Sequence, residues 1–141
     1  MIKRVWSQCA KAINEENVYV ATDSNRINDF CAAEGIRSIM TSKNCLTGTD
    51  RVFEASQKID ADLYINVQGD EPLIDPLDIK KVIAESIENP GEVINAMAKI
   101  SDENDFRSSG VPKVICDTKQ NLLFMSRAPI PTNKNNDFLS R

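Results

Sequence analysis

The sequence predicts an α/β protein in which a largely parallel sheet is covered by helices on both faces. Three observations predict it. Segments with helical spacing alternate with short apolar runs through the first hundred residues, and Gly, Pro and capping residues mark the junctions. The chain also has 141 residues, 41% hydrophobic and 27% charged, which suits one globular core and falls short of two.

Ile2, Val5, Trp6, Cys9, Ala10 and Ile13 recur at intervals of three and four, so the chain begins on an amphipathic helix. Val18 to Ala21 is short, β-branched and aromatic and reads as a buried strand, with Thr22, Asp23 and Ser24 as candidate caps for the next helix. Ile27, Phe30 and Cys31 supply that helix's inward face, Gly35 ends it, and Ile36 to Met40 is the following strand. Thr41 to Gly48 is a polar loop, after which Val52, Phe53, Ser56 and Ile59 have helical spacing.

Leu63 to Val67 reads as an interior strand that opens into the loop Gln68 to Ile74. Asp75 caps a helix with Pro76 in its first turn, where the missing N–H costs nothing; Val82, Ile83 and Ile87 face inward and Asn89-Pro90-Gly91 stops it. Val93 to Ile100 reads as another strand and Ser101 to Phe106 as a short helix or turn. Val114 to Cys116 with Leu122 to Met125 forms a hairpin around Asp117 to Asn121. Thr132 to Arg141 is a polar loop carrying the pair Phe138-Leu139.

Seventeen basic residues against 21 acidic ones give a net charge of −4, the wrong sign for a protein that coats phosphate backbones, so no nucleic-acid partner is expected. No run approaches about 18 apolar residues and no apolar block follows a basic start, so neither a membrane span nor a secretory signal is expected and the setting is cytoplasmic. Cys9, Cys31, Cys45 and Cys116 form no C-x-x-C pair and no His accompanies them, so they read as reduced thiols rather than zinc ligands. The lack of His also removes Ser-His-Asp and Cys-His chemistry.

In a parallel sheet ligands gather beyond the carboxyl ends of the strands, which selects Thr22-Asp23-Ser24, Thr41 to Arg51, and Gln68 to Asp75. Asn66-Val67-Gln68-Gly69-Asp70-Glu71-Pro72 ends an apolar run in an amide, a Gly and two carboxylates. One such Asp can anchor Mg²⁺ together with substrate phosphates; an acidic turn is the alternative. Thr47-Gly48-Thr49-Asp50-Arg51 offers hydroxyls, a Gly and an Arg at a helix start, which suits an anion and equally suits a plain helix cap. Ser126-Arg127-Ala128-Pro129-Ile130-Pro131 sets a guanidinium before two prolines, as a carboxylate or phosphate contact or as a surface Arg in a turn. Asp23 is a ligand contact or a cap.

Together Val18-Tyr19-Val20-Ala21-Thr22-Asp23 and these three motifs, in this order, resemble the 3-deoxy-manno-octulosonate cytidylyltransferases, or CMP-Kdo synthetases. The resemblance runs from Met1 to about Pro131 and covers the family's middle portion. It implies a Rossmann-like nucleotidyltransferase fold of the nucleotide-diphospho-sugar transferase type, with residues 1–141 a single incomplete domain. The implied reaction joins CTP and the sugar acid Kdo into CMP-Kdo and pyrophosphate for lipopolysaccharide biosynthesis, with Mg²⁺ as cofactor. By the same resemblance Asp70 is the metal-binding Asp, and Gln68 lies near the sugar acid and shares the catalytic role. Thr47, Gly48, Thr49 and Arg51, with Asp23, border the nucleotide, Arg127 contacts substrate, and a homodimer is one expected assembly. The alternatives are a noncatalytic α/β module that pairs through an exposed sheet edge, and a cytidylyltransferase for amino-Kdo or a nonulosonic acid.

The sequence also departs from the family pattern. The family's first strand with its basic, Gly-containing loop lies upstream of the helix that starts here at Met1, and a later Gly-Val-Asp lies beyond this C-terminus. Cys45 stands where relatives carry His, and Val111-Pro112-Lys113-Val114 resembles the family's Val-Lys-Val with a Pro inserted. A fold without its first strand exposes edges and buries less, so the chain alone is expected to be a poor catalyst and a weak folder.

Overall fold

A computed structural model describes Met1–Phe138, and the expectation for Leu139 lies outside the described residues. The chain divides into two compact units, Met1–Asn95 and Ala96–Arg141.

In the first unit α1 (Ile2–Ala12) follows its predicted stripe, and a single turn of tighter helix (Glu15–Asn17) leads into β1 (Val20–Thr22). Then come α2 (Asn25–Ala33), β2 (Ser38–Met40), α3 (Gly48–Ser56) and α4 (Pro76–Glu88). β1 and β2 pair in parallel, Val20 opposite Ser38 and Thr22 opposite Met40, as a strand–helix–strand unit requires. Gly35 carries φ +69 just past α2, a conformation that costs an L side chain strain, and it lets Ile36 turn back into the core. That core joins Val20, Cys31 and Ile36, with Ile2 and Trp6 of α1 and Ile27 of α2 packed against it. α1 also packs on α4, and Gln8 Nε2 donates to the carbonyl of Ile74 at 2.9 Å.

Two expected strands are not strands. Leu63 to Val67 and Val93 to Ile100 belong to no ladder among the described residues, and Leu63, Tyr64, Val93 and Met97 are exposed. An apolar β-branched run states what a strand could bury, whereas a ladder also needs a neighbour to bond. The sheet of the first unit is therefore two-stranded. Two inward positions, Phe30 and Ile87, are also corrected, because spacing fixes which residues share a face and leaves open how far a neighbour covers it. Phe30 and Phe53 are exposed, while Cys31 and Ala55 are buried; on α4 the stripe is anchored by buried Ile79, and Ile87 projects outward. Ile59 lies beyond the end of α3.

In the second unit α5 (Glu103–Arg107) is capped by Asp102, and β3 (Lys113–Cys116) and β4 (Leu122–Ser126) form the expected antiparallel hairpin. Buried Phe106 meets Phe138 with ring centroids 5.0 Å apart. Lys113 is buried, and its ammonium donates to the carbonyls of Ser108 and Val111, each at 2.7 Å. An antiparallel bridge between Thr132 and Phe138 closes the final loop. Among the described residues no helix is long and apolar enough to cross a membrane, and all four cysteines are free thiols.

Candidate functional site

The parallel pair β1–β2 delivers its carboxyl ends, Thr22-Asp23 and Met40-Thr41, to one edge, and α3 starts beside them. Arg51, in the first turn of α3, ties both together. One arm of its guanidinium lies 3.2 Å from Asp23 Oδ1 and another donates to Thr41 Oγ1 at 2.5 Å. Thr41 is buried and Thr22 is buried beside Asp23, so the polar groups that leave the strands are fixed before any ligand arrives. Asp23 therefore serves as a partner of Arg51; Ser24 holds the N-cap position of α2 without a side-chain cap bond, and Thr22 Oγ1 accepts the Ser24 N–H at 3.1 Å.

Thr47 has a local task. Its hydroxyl accepts the Asp50 N–H at 3.2 Å while its own N–H donates to Asp50 Oδ2 at 2.8 Å, a reciprocal capping box. Thr49 is exposed next to it. The loop before Thr47 is held by a group that the sequence reading passed over. Glu54 accepts the Ser42 N–H on both carboxylate oxygens, at 2.9 and 3.0 Å, and also accepts from Cys45 Sγ at 3.3 Å. Lys58, one turn on, reaches Glu54 at 3.4 Å and donates to the Met40 carbonyl at 2.7 Å. The Ser42 bond, then the Cys45 and Lys58 bonds, hold the Glu54 carboxyl below its usual range, and burial followed by the Glu54 bond pushes the Cys45 thiol up. The signal available in the sequence was the spacing of Glu54 and Lys58, a helical i,i+4 pair.

A cavity of about 510 Å³ opens beside this edge. Gly48, Arg51, Asn66, Gln68, Gly69 and Asp70 form the polar part of its wall, so two of the motifs meet there. A side chain at Gly48 would stand 4.0 Å from Asn66 Nδ2, and one at Gly69 would stand 3.1 Å from Ile2 Cδ1. The freedom of Gly69 thus serves a close approach to α1. Gln68 and Asp70 are exposed in a turn that closes where the Glu71 N–H meets the Gln68 carbonyl at 3.2 Å. Asp70 offers an exposed carboxylate at the cavity, a donor set that suits a cation held mainly by water and substrate oxygens. Among the described residues no group of three or more acidic, Cys or His side chains gathers for a fully protein-ligated metal. Arg127 belongs to the second unit, where its guanidinium donates to the carbonyls of Ser109 and Gly110 at 2.8 and 3.2 Å.

The family model described as cytidylyltransferase matches residues 1–141. The 3-deoxy-manno-octulosonate cytidylyltransferase of Trichlorobacter lovleyi is 41% identical over 132 residues, which are 93% of this chain and 52% of that protein. The Escherichia coli protein of the same name is 33% identical, over 96% of this chain and 55% of its own length. The 8-amino-3,8-dideoxy-manno-octulosonate cytidylyltransferase of Shewanella loihica is 37% identical, over 97% of this chain and 58% of its own length. A solved CMP:2-keto-3-deoxy-manno-octonic acid synthetase in complex with CTP superposes with a TM-score of 0.85 at 33% identity, covering 95% of this chain and 56% of that one. The chain thus spans about half the length of the curated relatives it matches, and the superposition gives it a Rossmann-like nucleotidyltransferase fold. By the match along its whole length, the chain belongs to the cytidylyltransferase family.

Proposed function

We propose that this chain is the middle portion of an enzyme that transfers CMP from CTP to the sugar acid Kdo, releasing pyrophosphate, in the cytoplasmic synthesis of lipopolysaccharide. The observation that carries the reading is the meeting of Gly48 and Arg51 with Gln68 and Asp70 around one cavity that flanks β1 and the start of α3. The superposable synthetase that holds CTP supports a nucleotide as one substrate.

In this reaction the anomeric hydroxyl of Kdo attacks the α-phosphorus of CTP, a new C–O–P link forms, and the bond to the β-phosphate oxygen breaks as pyrophosphate leaves. Arg51 supplies fixed positive charge near the phosphates because Asp23 and Thr41 already orient its guanidinium. The free N–H groups at the start of α3, beside Gly48, favour a polar or anionic group of the nucleotide. Gln68 offers a neutral amide to the sugar acid. Asp70 would hold Mg²⁺, which when bound neutralises charge on the triphosphate. In this reading the whole enzyme is a homodimer.

Calorimetry with CTP and Mg²⁺ tests the proposal. CTP binding to the 141-residue chain that is lost in Asp70→Ala and weakened in Arg51→Ala supports it, and no CTP binding refutes it. Pyrophosphate release with Kdo is expected to be slow from the chain alone. The 37% identity to an amino-sugar enzyme favours a second reading, in which 8-amino-3,8-dideoxy-manno-octulosonate replaces Kdo. Competition between the two sugar acids in the same release assay separates them.

A further inference from the structure

Met40, Thr41 and Ser42 carry the chain out of β2, and each is held by a side chain from α3 or the turn after it. Lys58 Nζ donates to the Met40 carbonyl at 2.7 Å, Arg51 donates to Thr41 Oγ1 at 2.5 Å, and Glu54 accepts the Ser42 N–H at 2.9 and 3.0 Å. The loop that follows has little else to hold it. Among the described residues no backbone–backbone hydrogen bond involves Ser42 to Leu46, and Leu46 is 93% exposed. Glu54 also accepts from Cys45 Sγ at 3.3 Å, so one carboxylate holds this stretch at two points. Lys58 has the same carboxylate as its counter-ion at 3.4 Å, which makes the tie to Met40 depend on Glu54 as well.

Gly48 and Arg51 come next in the chain and stand in the wall of the 510 Å³ cavity. Glu54 does not reach that wall. With Ser42 and Cys45 it lines a separate hollow of about 340 Å³, so its influence on the cavity runs through the start of α3. We propose that Glu54 is a positioning residue for the nucleotide: it braces the loop so that the Gly48 backbone and the Arg51 guanidinium stand at the cavity wall before the ligand arrives. The inference rests on the reading of that wall as the border of the nucleotide. Asp23 and Thr41 set where the Arg51 fork points, and Glu54 sets where the helix that carries Arg51 begins. A cation already held in place gives up less freedom on meeting a phosphate than one that must be gathered in, so the brace is expected to show in affinity.

Calorimetric titration of CTP with Mg²⁺ into the 141-residue chain tests this, at a temperature where circular dichroism shows each variant folded. Glu54→Gln keeps the size of a side chain that is 32% exposed and removes its charge. It is expected to weaken CTP by about three- to tenfold with the number of sites unchanged. Removing a negative charge would by itself favour a triphosphate, so a loss of affinity runs against a simple field effect. Glu54→Asp, which keeps the charge and shortens the reach, is also expected to weaken CTP. With Arg51 already replaced by Ala, Glu54→Gln is expected to change the affinity by less than about twofold, because its effect runs through Arg51. The proposal is overturned if either Glu54 variant, fully folded, binds CTP as tightly as the unmutated chain, even with a lowered urea midpoint. It is overturned too if Glu54→Gln costs as much in the Arg51→Ala background as without it. If the unmutated chain binds no CTP, the nucleotide reading itself falls and this inference falls with it; binding that Glu54→Gln leaves intact overturns this inference alone.

Discussion

Arg51 and Asp23 form an ion pair, 3.2 Å from nitrogen to oxygen, that joins the first turn of α3 to the loop leaving β1. The two side chains are 21% and 39% exposed, so the pair is screened and its coupling is expected to stay below about 1 kcal/mol. A double-mutant cycle of Arg51→Ala and Asp23→Asn, read by urea melts, checks this; the coupling is expected to shrink further in about 1 M salt. CTP affinity should respond differently. Arg51→Ala is expected to lose at least about tenfold, as a charge-assisted phosphate contact does, and Asp23→Asn less, because Asp23 acts through Arg51.

Glu54 is expected to make the Ser42–Thr47 loop sensitive to acid. Its carboxyl is held below the ordinary glutamate range in the folded chain, so its ties stabilise the loop at neutral pH and are lost as pH falls through that lowered value. Cys45 is the built-in probe, since its raised pKa leaves little thiolate at pH 7. Glu54→Gln is expected to speed alkylation of Cys45 by iodoacetamide several-fold at neutral pH, measured by mass spectrometry, while Cys31, fully buried, stays slow.

Thr47→Ala should remove half of the α3 capping box and cost about 1 kcal/mol of stability, whereas Thr47→Ser should retain most of it. If Thr47 touched the nucleotide as well, Thr47→Ala would lower CTP affinity beyond what the melt explains, and calorimetry beside the melt makes that comparison.

Ile36→Ala is expected to cost about 2–5 kcal/mol, because Ile36 is 4% exposed in a core cluster of Val20, Cys31 and Ile36. A loss of that size is comparable with the whole stability of a marginal domain, so the variant should be largely unfolded by circular dichroism at room temperature.

The helices and their ends were legible in the sequence because their causes are local. Pro76 after Asp75, Gly35 after α2, and the Ile2 to Ile13 stripe each act within a turn or two of the chain. The hairpin around Asp117 to Asn121 was legible for the same reason: Asp117 accepts the N–H groups of Lys119 and Asn121 on one oxygen, at 2.8 and 2.9 Å. Leu63 to Val67 and Val93 to Ile100 were read as strands from composition, yet strand pairing is a property of two segments, and no partner lies beside either among the described residues. At the site, Gly48 and Arg51 meet Gln68 and Asp70 around one cavity, although the strand that the sequence placed before Gln68 does not form, so the carboxyl-end rule reached that loop on a premise the fold does not keep. The roles of Thr41 and Glu54 were not legible, because a lone Thr or Glu declares nothing until the tertiary fold brings Arg51 or Ser42 against it.

Lys113 keeps its amine inside the second unit, facing two carbonyls, with 2% of the residue reachable by water. Reagents that acylate amines must wait for that unit to open before they can modify it. The rate at which this one lysine is labelled therefore clocks the opening of the hairpin unit, with no need for an added dye.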